Sequence, residues 1–149
     1  MSNVASVEDL AAVRALLERS GLPTSDLESA RPEFAVVRES GRVVAAGALQ
    51  RFGSAALLRS VVVAPDRRGM GLGRRVVSEL EHLARAAQLD ELILLTETAA
   101  GFFASQGYRV IERSSAPPAM RGSEEFRSLC PSSATCMAKR LSDTVLRGC

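Results

Sequence analysis

Several features are scarce in this chain of 149 residues, and each absence narrows what it can do. No apolar run approaches the ~20 residues that a membrane helix needs, and no basic segment leads into an apolar one near the N-terminus. Neither a membrane span nor an export signal is therefore expected, and a cytoplasmic protein is. The formal net charge is only +2, too small to suggest nucleic acid as a partner. The cysteines are three, Cys130, Cys136 and Cys149. An odd number without an export signal implies free thiols, and their spacing matches no metal pattern. There is one histidine, His82, and neither an internal repeat nor a low-complexity segment.

What is present is enough apolar material for a packed interior. Hydrophobic residues make up 46% of the chain and charged residues 24%, which argues for a folded domain rather than disorder. A chain of this length buries roughly two-thirds of its unfolded surface. One domain over residues 1–141 is expected, with residues 142–149 as a tail.

The stretch VVVAPDRRGMGLGRR, Val61 to Arg75, organises the rest. Branched apolar residues give way at Pro65 to a glycine-rich basic turn, and then to VVSELEHLARAA, which has helical periodicity. Gly69, Gly71 and Gly73 permit positive φ and bring backbone amides close to a ligand, which a Cβ would prevent. Those amides, with the first-turn N–H groups of the helix and its dipole, favour an anion such as a diphosphate. Arg67, Arg68, Arg74 and Arg75 add charge around them. A Walker loop is excluded because no Lys-Ser or Lys-Thr follows the glycines. A dinucleotide fingerprint is excluded by the spacing Gly69-x-Gly71-x-Gly73. A glycine-rich turn with solvated arginines stays open on the residues alone.

The remaining chain reads as alternating elements. Ser6 can cap a helix with Val7, Leu10, Ala11, Val13, Leu16 and Leu17 on one side, ending near Gly21. A short helical piece follows Thr24 or Ser25 and stops at Arg31-Pro32. Phe34 to Arg38, Val43 to Leu49 and Ala55 to Val63 read as strands turning at Glu39-Ser40-Gly41-Arg42 and Gly53-Ser54. The helix after the glycine loop should bury Val76, Val77, Leu80 and Leu83. Leu92 to Thr96 suits a strand buried on both faces, parallel to the one before that helix. Ala99 to Ser105 is a short helix closed by Gly107. Tyr108 to Glu112 and Ala134 to Arg140 supply the sixth and seventh strands.

Arg68-Gly69-Met70-Gly71-Leu72-Gly73 resembles the pyrophosphate-binding motif of GNAT-superfamily acetyltransferases, Arg/Gln-x-x-Gly-x-Gly/Ala, and Val63-Ala64-Pro65 resembles the strand ending that precedes it. Gly101-Phe102-Phe103-Ala104-Ser105-Gln106-Gly107-Tyr108 is similar to a second motif of that family. The resemblance implies an α/β (α+β) GNAT fold: a mixed, mostly antiparallel seven-stranded sheet flanked by about four helices. Its central parallel strands splay around acetyl-CoA, the expected co-substrate. The pantetheine arm would bond to the backbone of Val61, Val62 and Val63, and the diphosphate would sit on Arg68, Gly69, Met70, Gly71, Leu72, Gly73 and Arg74. No metal is implied. The region after the first helix would border the acceptor.

Acyl transfer to an amine needs a base, because a protonated amine has no lone pair. Glu97, following the Leu92 to Thr96 strand, is the candidate, against a solvated strand-end carboxylate. A backbone N–H near Val62 or Val63 could donate to the thioester oxygen. Many family members carry a tyrosine acid where Phe103 stands. His82 is expected to face solvent, Tyr108 to pack, and Cys136 to be a buried apolar residue.

Ser114 to Ser133 is a long connection for a compact domain, which points to function. Arg121 offers a planar fork suited to a carboxylate, and Ser132 and Ser133 add hydroxyls. Arg59 is a second candidate for the acceptor, against a surface arginine whose stem packs on the sheet. Pro118-Ala119-Met120-Arg121 and Leu95-Thr96-Glu97 resemble elements of N-acetylglutamate synthases. The run from Glu125 to Cys136 is similar to a small bacterial acetyltransferase group associated with arsenic resistance. Both imply a small amino-acid-like amine as substrate; the second implies a glutamate-mimicking organoarsenical such as arsinothricin. Two alternatives stand beside this: a non-catalytic acetyl-CoA-binding sensor or subunit, and an acetyltransferase of protein N-termini or lysines. A homodimer through the last strands is left open.

Overall fold

A computed structural model describes residues 2–4, 7–129 and 133–141. The chain divides into two compact units, one formed by residues 1–50 and 58–83 and the other by residues 51–57 and 84–149. Strands β3 (Arg42–Phe52) and β4 (Ala55–Val63) contribute residues to both.

In the first unit the strand order is β1-β2-β3-β4. β1 (Ser2–Val4) pairs antiparallel with β2 (Glu33–Glu39), Asn3 opposite Val36. β2 pairs antiparallel with β3, Ala35 opposite Gly47, around a turn in which Ser40 (φ +52) and Gly41 (φ +77) are left-handed. That geometry matches the twist of a two-residue hairpin. Helix α1 (Val7–Arg19) buries Val13, Leu16 and Leu17, as its apolar spacing requires. α2 (Leu27–Ala30) is a single turn ended by Arg31 in the left-handed region. The Ser6 cap lies outside the described residues.

Helix α3 (Leu72–Ala86) starts within the glycine loop, four positions before the apolar repeat suggests, because Gly71 accepts from Arg75 N at 3.1 Å and opens the helix. It buries Leu72, Val76, Val77, Leu80 and Ala84. Leu83, expected inside, is half-buried. Gly47 on β3 gives α3 room: a Cβ there would stand 2.6 Å from Val76 Cγ1 and 2.9 Å from Leu80 Cδ1.

In the second unit the order is β4-β5-β7-β6. The first residues of β4 run parallel to β5 (Glu91–Thr96) over three pairs, Ala55 to Leu57 opposite Glu91 to Ile93. β7 (Thr135–Arg140) lies between β5 and β6 (Arg109–Val110), antiparallel to both. The expected strands are thus present, although β6 is shorter than Tyr108 to Glu112. β1 is an element that its few residues did not signal.

Helix α4 (Ala100–Ser105) starts where Ala99 N donates to Thr96 Oγ1 at 3.0 Å. Phe103 is buried against Phe102 and Tyr108 in edge-on contacts, and Lys139 Nζ lies over the Tyr108 ring. The long connection before β7 is ordered over its described part. A fifth helix, α5 (Pro118–Arg121), and a π-helical turn (Glu125–Leu129) place Ala116, Met120 and Phe126 in a core with Leu57, Ile93 and Cys136. Arg113 donates to the carbonyls of Phe126 and Ala134, both at 3.4 Å, and so fastens that connection at two points.

Candidate active site

The glycine-rich loop is built as its glycines require. β4 ends at Val63, a single 3₁₀ turn covers Pro65–Arg67, and Gly69 (φ +83) and Gly71 (φ +80) take left-handed conformations before α3 begins. Among the described residues, chain neighbours apart, nothing lies within 4 Å of where a Cβ on either glycine would be. The space beside each missing Cβ is therefore open, and a fifteen-residue helix begins here, whose first-turn amides have no partner within the helix.

The charge around the loop differs from the expected ring of four arginines. Arg67 is drawn off by Glu39 and Asp66, and Asp66 also accepts from Arg42 at 2.9 and 3.1 Å. The hydrogen bonds from Arg42 hold the Asp66 carboxyl below its usual range, and the bond to Glu39 raises Arg67. Arg68, Arg74 and Arg75 are exposed at the loop itself, and Arg68 Nε donates to Val63 O at 3.3 Å. Met70 is also exposed, whereas Leu72 is buried and anchors the helix start. Gly73 is half-buried.

β4 carries a feature with no sequence signal: Ser60 sits in mid-strand with φ +59. An L-residue there kinks the strand. Ala55 to Arg59 are all buried, and after the kink Val61 and Val63 are half-exposed while Val62 is buried. Both the kink and the loop thus bear on the backbone of Val61, Val62 and Val63.

Arg59 does not lie on the surface. Its side chain is fully enclosed, and its guanidinium clasps Asp26 with Nη1 to Oδ2 at 2.7 Å and Nη2 to Oδ1 at 2.6 Å. Nη1 also donates to Gln50 Oε1 at 3.0 Å. The surface-arginine alternative is overturned, and the fork expected to receive an acceptor is occupied by Asp26. The first unit also holds a cavity of about 600 Å³ whose wall includes Leu10, Arg14, Leu27, Arg31 and Phe34.

In the second unit Glu97 is exposed in the bend after β5. Arg121 is exposed at the end of α5, where its Nε donates to Ala116 O at 3.0 Å. His82 is exposed, and Tyr108 and Cys136 are buried; burial pushes the Cys136 thiol up from its ordinary value. Ser132, Cys130 and Cys149 lie outside the described residues. Among the described residues no group of His, Cys, Asp and Glu could hold a metal ion, and no helix is long and apolar enough to cross a membrane.

Residues 30–110, which contain this strand, glycine loop and helix, match the family described as the acetyltransferase (GNAT) domain. The chain belongs to that family. Solved structures with a similar fold include N-acetylglutamate synthase from Neisseria gonorrhoeae complexed with coenzyme A and N-acetyl-glutamate (22% identity, TM-score 0.81). That match covers 95% of this chain and 35% of the synthase, so the present chain spans about a third of that protein. Rv2747 from Mycobacterium tuberculosis, solved in complex with CoA, is 27% identical with a TM-score of 0.82, over 95% of this chain and 99% of that one. The ribosomal-protein-S18-alanine N-acetyltransferase from Escherichia coli is 20% identical with a TM-score of 0.71, over 95% of both chains. The GNAT fold expected from the glycine motif is thus the fold present.

Proposed function

We propose that this protein is a cytoplasmic N-acetyltransferase that moves acetyl from acetyl-CoA to the amine of a small amino-acid-like substrate. The observation that carries the proposal is the pair of left-handed glycines, Gly69 and Gly71, opening α3 with clear space above them. The residues fit the co-substrate. Backbone amides from Gly69 to Gly73 and the cations Arg68 and Arg74 would hold its diphosphate, and the backbone of Val61 to Val63 would hold its amide-bearing arm. Bound there, acetyl-CoA supplies a thioester carbonyl.

In this reading Glu97 takes a proton from the substrate ammonium. The freed amine nitrogen then bonds to the thioester carbon, the C–S bond breaks, the sulfur leaves with the electron pair as a thiolate, and the nitrogen gives up its second proton to water. An N–H of Val62 or Val63 donates to the oxygen while it carries charge. Phe103 is enclosed by aromatic rings and offers no proton, so the thiolate departs without an acid from that position. Arg121 receives the carboxylate of the substrate. Arg59, held by Asp26, is not a direct ligand.

The amino-acid class is supported by the Neisseria synthase complexed with coenzyme A and N-acetyl-glutamate, and by a first-unit cavity with arginines in its wall. Within that class we favour a glutamate mimic, with the organoarsenical arsinothricin as the specific candidate. The test is mass-detected transfer to glutamate, phosphinothricin, arsinothricin, a polyamine and an N-terminal peptide. Turnover confined to the glutamate mimics is expected. Arg121→Ala should then raise KM for the carboxylate-bearing amine roughly ten- to a hundredfold with little change in KM for acetyl-CoA, since a charged hydrogen bond contributes about 1.5–3 kcal/mol. Transfer to the peptide alone would favour a protein acetyltransferase, and CoA binding without any transfer would favour a sensor.

A further inference from the structure

Among the described residues, the most deeply enclosed ionic pair of the first unit has no part in the chemistry above. Arg59 and Asp26 have side chains exposed by 0% and 2%, in a two-pronged clasp completed by Gln50. A buried pair of this kind is weak evidence for stability alone, because desolvation offsets the attraction. Its placement is more telling. Asp26 is at the N-cap of α2, where a carboxylate would ordinarily accept from the helix amides, yet it makes no capping bond. The carboxylate is committed across the unit to β4. On β4 it grips the residue directly before Ser60, whose left-handed backbone has to be held by its surroundings.

Beyond the kink the strand is fixed by other means. Val61 Cγ2 lies 3.3 Å from the position a Cβ on Gly47 would take, and Ala64 N donates to Val44 O at 2.8 Å. The kink is therefore gripped on one side by Arg59 and on the other by packing against β3. We infer that Arg59, held by Asp26 and Gln50, is a positioning residue that maintains the Ser60 kink and so sets how the backbone of Val61 to Val63 is offered to the pantetheine arm. This rests on the reading of β4 and its loop as the acetyl-CoA site. It predicts that the clasp governs the arm and leaves the diphosphate loop alone, since Gly69 and Gly71 are shaped by their own conformation.

Calorimetric binding to the wild type, Asp26→Asn, Arg59→Lys and the apolar double variant Asp26→Leu/Arg59→Met separates these contributions. The probes are CoA and 3′-phospho-ADP, which has the diphosphate and lacks the arm. The double variant avoids a stranded buried charge and keeps the fold testable by its melting transition. It should bind CoA at least tenfold more weakly and 3′-phospho-ADP within twofold of the wild type, with Arg59→Lys recovering part of the CoA affinity. In Asp26→Asn, amide exchange at Val61 to Ala64 should quicken about tenfold, with Gly69 to Leu72 unchanged. A double variant that binds CoA like the wild type would overturn the inference, as would equal weakening of both probes, which marks a general packing role. Wild-type protein that binds neither probe would defeat the acetyl-CoA reading, and this inference with it.

Discussion

At Gly71 one backbone angle shapes the turn into α3. The residue has φ +80 and opens α3, and among the described residues nothing crowds its missing side chain. Gly71→Val would therefore not collide with the fold; it would strain the turn and place methyl groups in the space assigned to the diphosphate. CoA binding should fall below detection in calorimetry while the circular dichroism spectrum stays that of the wild type. Retention of wild-type affinity would remove the loop from the site. Nearby, the depressed carboxyl of Asp66 gives a pH signature. A carboxylate whose folded pKa lies below its unfolded value of roughly 3.9 stabilises the fold above that value. The contribution is lost as pH falls through the lower folded pKa. The difference in Tm between wild type and Asp66→Asn should thus be present at pH 7, shrink below about pH 4, and diminish in high salt because the pair is exposed. The glycine loop was legible in the sequence because its physics is local. The clasp of Arg59 on Asp26 was not, since it joins residues 33 positions apart and nothing at Arg59 distinguishes a buried fork from a surface one.

Among the elements, β3 shows how one small residue admits a helix. Gly47 sits in a strand interior, where glycine normally weakens the strand, and faces Val76 and Leu80 of α3. Gly47→Ala would press a methyl group against both and should cost about 1–3 kcal/mol of overpacking, read as a lower urea midpoint. Adding Val76→Ala should return part of it; an unchanged midpoint in the single variant would show that α3 moves freely. Strand and helix positions were mostly readable from periodicity, with errors of a few residues at the ends. The misses have physical reasons. β1 is three residues, too short for alternation to register, and α5 begins at Pro118 after Pro117, a pair that reads as a turn. The left-handed Ser60 has no intrinsic cause, because serine does not prefer that conformation; the surrounding contacts impose it.

For the molecule as a whole, the motifs at Arg68 to Gly73 and Gly101 to Tyr108 were enough to name the fold, because they resemble those of the GNAT superfamily and come in the same order along the chain. It was not enough to reveal the two compact units, which cut across β3, β4 and α3 and so follow no boundary in composition. Nor could it place the acceptor residues, whose roles depend on side chains contributed by distant segments. The second unit has a further property that follows from its strand order. β7 is later in the chain than both β5 and β6 and lies between them. During synthesis on a ribosome, β5 and the short β6 emerge with the seat between them unfilled, and one edge of Leu92 to Leu94 stays open until residues 135–140 arrive. A nascent chain paused before Thr135 presents that apolar edge to any strand nearby, so β5 stays open to non-native pairing until β7 is inserted.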